Sequence, residues 1–274
     1  MGDLLATTTM GTNTPLTAET VDAFKGSLGG ALLGPSDAGY EDARKIWNGM
    51  IDKRPALIAR CTGVADVMQA IQFARTHNLL VAVRGGSHNV AGYSTCDGGL
   101  VIDLSPMKGI WVDPARRTVR AQGGITWGEL DRETQAFGLA TTGGTDPTTG
   151  IAGLTLGGGM GWLQGKYGLA VDNLLAADVV TADGRFLTTS TREHVDLFWG
   201  LHHDPPGHAC APLPAVVSPG RGAPSRRNTP RTTCRVGRRD ALKSSAWSQR
   251  ASIGARASNR ICPGCGGNRT PPRS

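Results

Sequence analysis

The sequence predicts an α+β fold, and three observations carry that reading. A strand, an amphipathic helix and a second strand succeed one another between Ala56 and Arg84. Hairpins replace such units after position 108, and two separated stretches are too rich in glycine for any regular element. The first of those stretches ends the second strand and leads straight to a histidine, in Val81-Ala-Val-Arg-Gly-Gly-Ser-His-Asn-Val90.

Residues 1–36 read as an N-terminal arm with a short helix. Residues 1 to about 20 are polar and threonine-rich, and Thr20–Leu28 carries a helical pattern broken by Gly29-Gly30. After Pro55, Ala56–Arg60 is a short apolar strand. From Gly63 the apolar positions Val64, Val67, Met68, Ile71 and Ala74 recur at helical spacing as far as Asn78, and Leu79–Val83 is a second strand ending at Arg84. A right-handed crossover of this length predicts parallel, neighbouring strands. It places Gly85, Gly86 and His88 beyond the carboxyl end of the second, where open α/β sheets bind ligands. Without Cβ atoms the turn can aim successive amides into one concavity, which suits a phosphate or pyrophosphate.

Leu100–Leu104 is a further strand. Gly109–Asp113 and Thr118–Gln122 form a hairpin around Pro114-Ala115-Arg116-Arg117. Thr126 starts a helix with Glu129 three residues on as a capping box, and Phe137-Gly138 ends it. From Gly143 to Gly165 nine of twenty-three residues are glycine, so backbone there must approach something closely. Leu174–Thr181 and Phe186–Thr189, joined at Ala182-Asp183-Gly184-Arg185, make a final hairpin, followed by a short helix over Glu193–Trp199. His77 falls at a helix C-terminus and is structural, and His194 is a surface residue of the last helix.

The composition changes after Leu201. Residues 202–274 carry a net charge of +11 against +7 for the whole chain, which leaves the first 201 residues at −4. A nucleic-acid function for the body therefore fails on charge. The basic Pro/Arg-rich tail holds ten of the sixteen prolines and few aliphatic residues, so it is expected to be disordered. Its Cys262-Pro-Gly-Cys265 lacks a second pair at zinc-finger spacing, and no regular element fixes His202, His203, His208 and Cys210, so no metal site is expected. Met1–Thr20 has no signal-peptide pattern and no run reaches membrane-span length. With Cys61 and Cys96 the only body cysteines, a reduced, cytoplasmic setting is expected.

Two glycine-rich loops imply a long ligand touched mainly by main chain. A dinucleotide fits, yet the Gly-x-Gly-x-x-Gly fingerprint of Rossmann folds is missing from its proper context. The motifs Arg84-Gly-Gly-Ser-His88, Trp111-Val-Asp113, Gly144-Thr-Asp-Pro-Thr-Thr-Gly150 through Gly157-Gly-Gly-Met-Gly161, and Tyr167-Gly-Leu-Ala-Val-Asp-Asn173 instead resemble berberine-bridge-enzyme-like oxidases of the vanillyl-alcohol-oxidase superfamily. The resemblance runs from about Pro55 to Leu201. It implies a PCMH-type FAD-binding domain of two α/β subdomains over residues 37–201.

It also implies a site. His88 matches the histidine bonded through a ring nitrogen to the 8α carbon of the flavin, and Gly85, Gly86, Ser87 and Asn89 match the pyrophosphate loop that Arg84 opens. Asp146 takes the place of a cysteine that tethers the flavin a second time in many relatives, so a single covalent bond, at His88, is expected. Thr148, Gly150, Gly153, Gly157 and Gly158 would line the FAD, with Tyr167 and Asn173 from the last motif. An imidazole bonded to the ring withdraws electron density and raises the reduction potential, which favours hydride removal from a C–H of a sugar, alcohol or alkaloid, with O2 as electron acceptor. Relatives continue past Phe198-Trp-Gly-Leu201 into a substrate domain bearing a tyrosine base. Here the continuation has the composition of a wrong reading frame, so an incomplete enzyme is expected and no catalytic residue is assigned. Two other readings stand beside this one: a non-enzymatic protein whose basic tail adheres to nucleic acid, and an unstable truncated gene product.

Overall fold

A computed structural model describes residues 3–203 and the backbone of residues 215–218. The chain begins with β1 (Leu4–Thr7) and β2 (Asn13–Leu16), an antiparallel pair with Leu4 opposite Leu16. The sequence predicts a loose arm here, and the structure corrects it. Threonine favours extended backbone, Ala6 and Leu16 are each only 1% exposed, and Thr7 is tied down by Thr7 N to Gly98 O at 2.7 Å and Leu80 N to Thr7 O at 2.9 Å. Helix α1 (Ala18–Ser27) starts two residues before its predicted position because the Thr17 side chain caps it, accepting from Thr20 N at 3.2 Å. Its Phe24 stacks on Phe73 with ring centroids 4.0 Å apart. Then come β3 (Ala31–Leu33) and the single turn α2 (Tyr40–Ala43), whose buried Tyr40 hydroxyl donates to Pro55 O at 2.6 Å.

Strand β4 (Leu57–Arg60), helix α3 (Val64–Thr76), strand β5 (Val81–Arg84) and strand β6 (Leu100–Asp103) form the main layer. The sheet order is β3-β4-β6-β5, with β3 antiparallel to β4, and β4 and β5 each parallel to β6. The predicted strand direction holds, but β4 and β5 are not neighbours. Strand β6 is buried at all four positions and so takes the centre, whereas β5 alternates between half-buried and buried and sits at the edge. Strand β3 joins this sheet from ahead of residue 37. Helix α3 covers it with Val67, Ala70, Ile71 and Ala74, which pack with Leu57, Ala59, Leu100 and Ile102. Each fully buried Leu or Ile contributes about 1.5–3 kcal/mol. His77 caps α3 beside the Phe73 ring.

The hairpin β7 (Ile110–Asp113) and β8 (Thr118–Ala121) precedes helix α4 (Trp127–Gln135), and Val119, Ala121, Ile125, Trp127, Leu130, Ile151 and Ala170 form a second apolar cluster. Short helices α5 (Ile151–Leu156) and α6 (Gln164–Tyr167) and a 3-10 turn over Val171–Asn173 traverse the glycine-rich region. Strands β9 (Ala176–Val180) and β10 (Phe186–Ser190) form the last predicted hairpin, followed by α7 (Val195–His203). This helix starts and ends later than predicted. His194 precedes it at φ +44°, donating from Nδ1 to Thr188 O at 2.9 Å. A strand β11 (Ala215–Ser218), in the segment expected to be structureless, pairs antiparallel with β9. The rest of the tail, with His208, Cys210 and Cys262-Cys265, lies outside the described residues.

Cys61 and Cys96 are buried free thiols; burial pushes both up, Cys96 to about 11. Among the described residues no helix is long and apolar enough to cross a membrane, and no cluster of His, Cys, Asp and Glu could hold a metal ion.

Candidate functional site

The strand β5 delivers its last side chain inward. Arg84, 6% exposed, lies in register with fully buried Asp103 and donates through Nε to Oδ1 at 3.1 Å and through Nη2 to Oδ2 at 2.6 Å, while its Nη1 donates to Ala43 O. Burial alone would push the Asp103 carboxyl up; the Arg84 hydrogen bonds and charge bring it below the usual carboxylate range. The guanidinium expected to open the cofactor loop is thus spent beneath the turn, where it pins the ends of β5 and β6 together.

Above that anchor the chain turns through Gly85–Asn89. A Cβ on Gly85 would lie 2.8 Å from Gly123 O, and one on Gly86 would lie 2.5 Å from Gly150 Cα, so both positions require glycine. Ser87 adopts the left-handed conformation at φ +62°, and its carbonyl accepts from Trp47 N at 3.3 Å. Among the described residues none accepts a hydrogen bond from the amides of Gly85, Gly86, Ser87, His88 or Asn89, leaving five consecutive donors for a ligand. The exposed Asn89 side chain accepts from Tyr93 N at 3.0 Å.

The second loop is held against the first by the start of α4. Gly128 N donates to Pro147 O at 2.8 Å, Trp127 N to Thr149 O at 2.9 Å, and Ile151 N to Ile125 O at 2.9 Å. The capping box forms as predicted, with the Glu129 carboxylate accepting from Thr126 N at 2.8 Å and from Thr126 Oγ1 at 3.0 Å. The result brings His88, Asp146, Thr148 and Gly150 into one place. His88 Nε2 is 2.8 Å from Thr148 Oγ1, which donates onward to Asp146 Oδ1 at 2.7 Å, and His88 Nδ1 is 3.4 Å from Thr149 Oγ1. The Trp47 ring stacks on the imidazole, centroids 5.0 Å apart. The Thr148 hydroxyl, and next its amide at 2.8 Å, hold Asp146 below the usual carboxylate range.

The remaining predicted positions form a second group farther along. Gly153 lies in α5 with open space where a Cβ would be, and Gly158, at φ +93°, has its nearest atom 3.7 Å from that point. Gly157 N bonds back to Gly153 O and Gly158 O accepts from Val171 N, which links these glycines to the segment carrying Tyr167 and Asn173. Asn173 Nδ2 donates to Tyr167 O at 3.1 Å and to Leu169 O at 2.8 Å. Other glycines of the stretch serve packing within the protein: a Cβ on Gly159 would sit 2.5 Å from Ala170 Cβ, and one on Gly144 would sit 2.9 Å from Leu154 Cδ1.

The residues present fit a dinucleotide. The amides of Gly85–Asn89 have no protein acceptor among the described residues, open positions occur at Gly153 and Gly158, and Asn173 Oδ1, Thr142 Oγ1 and Trp127 Nε1, like Ser94 Oγ and Thr95 Oγ1, are buried without a hydrogen-bond partner. Sequence reasoning missed Trp47 and Thr149. The second stood inside a matched motif; the first is far from any motif, and nothing in its surroundings marked it. A groove lined by Leu4, Val21, Lys25, Leu32 and Leu57 shares no residue with either loop.

Known proteins resemble this chain over the stretch that carries both loops. A family model described as an FAD binding domain matches residues 55–190. The (R)-6-hydroxynicotine oxidase of Paenarthrobacter nicotinovorans is 42% identical over 175 residues, 64% of this chain and 38% of that protein. The crystal structure of 6-hydroxy-D-nicotine oxidase from Arthrobacter nicotinovorans superposes with a TM-score of 0.63 at 43% identity, covering 64% of this chain and 39% of that one. BBE-like 1 of Physcomitrella patens gives a TM-score of 0.64 at 30% identity, covering 67% and 40%. The chain thus spans about two fifths of the length of the relatives it matches.

Proposed function

Residues 55–190 are an FAD-binding domain of the FAD-linked oxidoreductases, and from that premise we propose that this chain holds FAD covalently, through His88 alone, as the cofactor-bearing part of an oxidase acting on a small molecule. The substrate class is a sugar, alcohol or alkaloid offering a C–H bond for hydride removal. Bound FAD would supply the hydride-acceptor chemistry, with dioxygen as the final electron acceptor.

The chain's own residues perform the holding. The amides of Gly85–Asn89 donate to the pyrophosphate in a turn that the Arg84–Asp103 pair keeps rigid. Gly86 and Gly150 let the two loops meet, and the half-buried imidazole of His88 sits at that meeting point. Asp146 cannot form the thioether that a cysteine would make, which limits the tethers to one. The observation that carries the reading is the placement of His88, its Nε2 2.8 Å from Thr148 Oγ1 of the second loop, because it puts the one candidate tether where both glycine loops converge.

The test is direct. Purified from flavin-replete cells, the protein is expected to be yellow, with flavin fluorescence that stays on the band after acid precipitation and denaturing electrophoresis. His88→Ala is expected to lose the fluorescent band. Colourless wild-type protein, or a fluorescent band in the His88→Ala variant, overturns the proposal.

A further inference from the structure

The hydrogen bonds around His88 decide which of its ring nitrogens carries the proton. Thr148 has one hydroxyl hydrogen, and its Oγ1 lies 2.7 Å from Asp146 Oδ1 and 2.8 Å from His88 Nε2. An ionised carboxylate has no proton to donate, so the Thr148 hydrogen goes to Asp146 and Thr148 Oγ1 must accept from Nε2–H. Nδ1 then keeps its lone pair, with the Thr149 hydroxyl at 3.4 Å as a weak donor to it. The Trp47 ring, within 23° of parallel, fixes the imidazole plane.

We propose that Asp146, acting through Thr148, is a positioning residue that makes Nδ1 the atom of His88 that bonds to the flavin. The inference rests on the covalent reading above and specifies its chemistry. One C–H bond of the flavin 8α methyl breaks and an Nδ1–C bond forms. The alkylated imidazole is cationic until Nε2 gives its proton through Thr148 to Asp146, which is exposed and passes it to solvent. The methyl hydrogen would leave as a proton and its bonding pair would pass through the flavin ring to dioxygen, the oxidant of the step, which with that proton and the one released from Nε2 becomes hydrogen peroxide. A carboxylate one hydroxyl away stabilises the imidazolium, as an aspartate does behind a histidine base in hydrolases. A neutral side chain at 146 gives no such help.

Protein produced without flavin and then supplied with FAD and oxygen gives two readouts: the rate at which flavin becomes resistant to denaturation, and the FAD dissociation constant. Asp146→Asn and Thr148→Val are expected to slow coupling by on the order of a hundredfold, well beyond any loss of affinity, and Thr148→Ser is expected to recover most of what Thr148→Val loses. A purely structural role would lower coupling and affinity together. Nitrogen NMR of the flavin-free wild type supplies a measurement that needs no variant to fold, and it is expected to show His88 protonated at Nε2. Variants that couple at the wild-type rate, a joint fall in coupling and affinity, or a ring protonated at Nδ1, overturn this inference and leave the His88 tether standing. Wild-type protein that binds FAD yet releases all of it on denaturation overturns the tether, and this inference with it.

Discussion

Replacing Gly86 by alanine tests the meeting of the two loops. The added Cβ would lie 2.5 Å from Gly150 Cα and 3.2 Å from Thr149 C, all backbone atoms with no rotamer to change. Ordinary carbon contacts need about 3.5 Å, so the loops must part by roughly 1 Å. The second loop has little slack, because Trp127 N holds Thr149 O and Ile151 N holds Ile125 O, each at 2.9 Å. The overpacking costs about 2 kcal/mol, which lowers Tm by about 4–8 °C in a domain of this size. The same free energy, now needed to close the loops around the cofactor, weakens FAD binding about thirtyfold. A parting of that size also takes the 2.8 Å contact between His88 Nε2 and Thr148 Oγ1 out of hydrogen-bond range. Gly153→Ala is the control: its Cβ meets nothing within 4 Å, so Tm is expected to be no lower than wild type. Thermal melts and FAD titration by fluorescence quenching read both quantities. A Gly86→Ala protein with wild-type Tm and wild-type FAD affinity refutes the reasoning.

Two further outcomes follow from buried charges. Arg84→Met strands the fully buried Asp103 carboxylate and is expected to cost about 3 kcal/mol, the low end for a broken buried pair, because Ser105 N at 3.0 Å and Arg60 Nε at 3.4 Å still serve it; a urea-derived loss under about 1 kcal/mol contradicts this. Asp66 is pushed up by burial but brought lower overall by the Thr62 and Gly29 amides and the Thr62 hydroxyl, so its folded pKa lies below its unfolded one. Asp66 and Asp103 therefore stabilise the fold fully above about pH 4 and lose that contribution as pH falls through their depressed folded values. Urea midpoints are expected to be flat above about pH 5 and to drop below pH 4, with a shallower drop in Asp66→Asn. An unchanged acid limb in that variant would count against the assignment.

Local pattern made much of the fold legible. The helical spacing of Val64, Val67, Ile71 and Ala74, the capping box at Thr126 and Glu129, and both late hairpins appear where the sequence places them. Sheet order was hidden, because whether Leu100–Asp103 enters between two strands depends on which one can be buried on every side, and the pattern within β4 and β5 does not settle that. The hairpin at Leu4–Leu16 was hidden because its stability comes from bonds to Asn78, Leu80 and Gly98 rather than from its own composition. At the site, glycine spacing and the family motifs located His88, Asp146, Thr148 and Gly150. They could not show that Arg84 faces inward to Asp103, nor that Trp47 would lie on the histidine ring.

The central position of β6 also sets an order of assembly. On a growing chain β4, α3 and β5 leave the ribosome before β6, yet β5 has no sheet partner, and β4 only β3, until β6 follows, since both pair with β6 rather than with each other. The cofactor turn is therefore unsupported during synthesis, and cofactor capture must follow sheet closure. A nascent chain stalled before Leu100 would carry every residue of the first loop and still be unable to load.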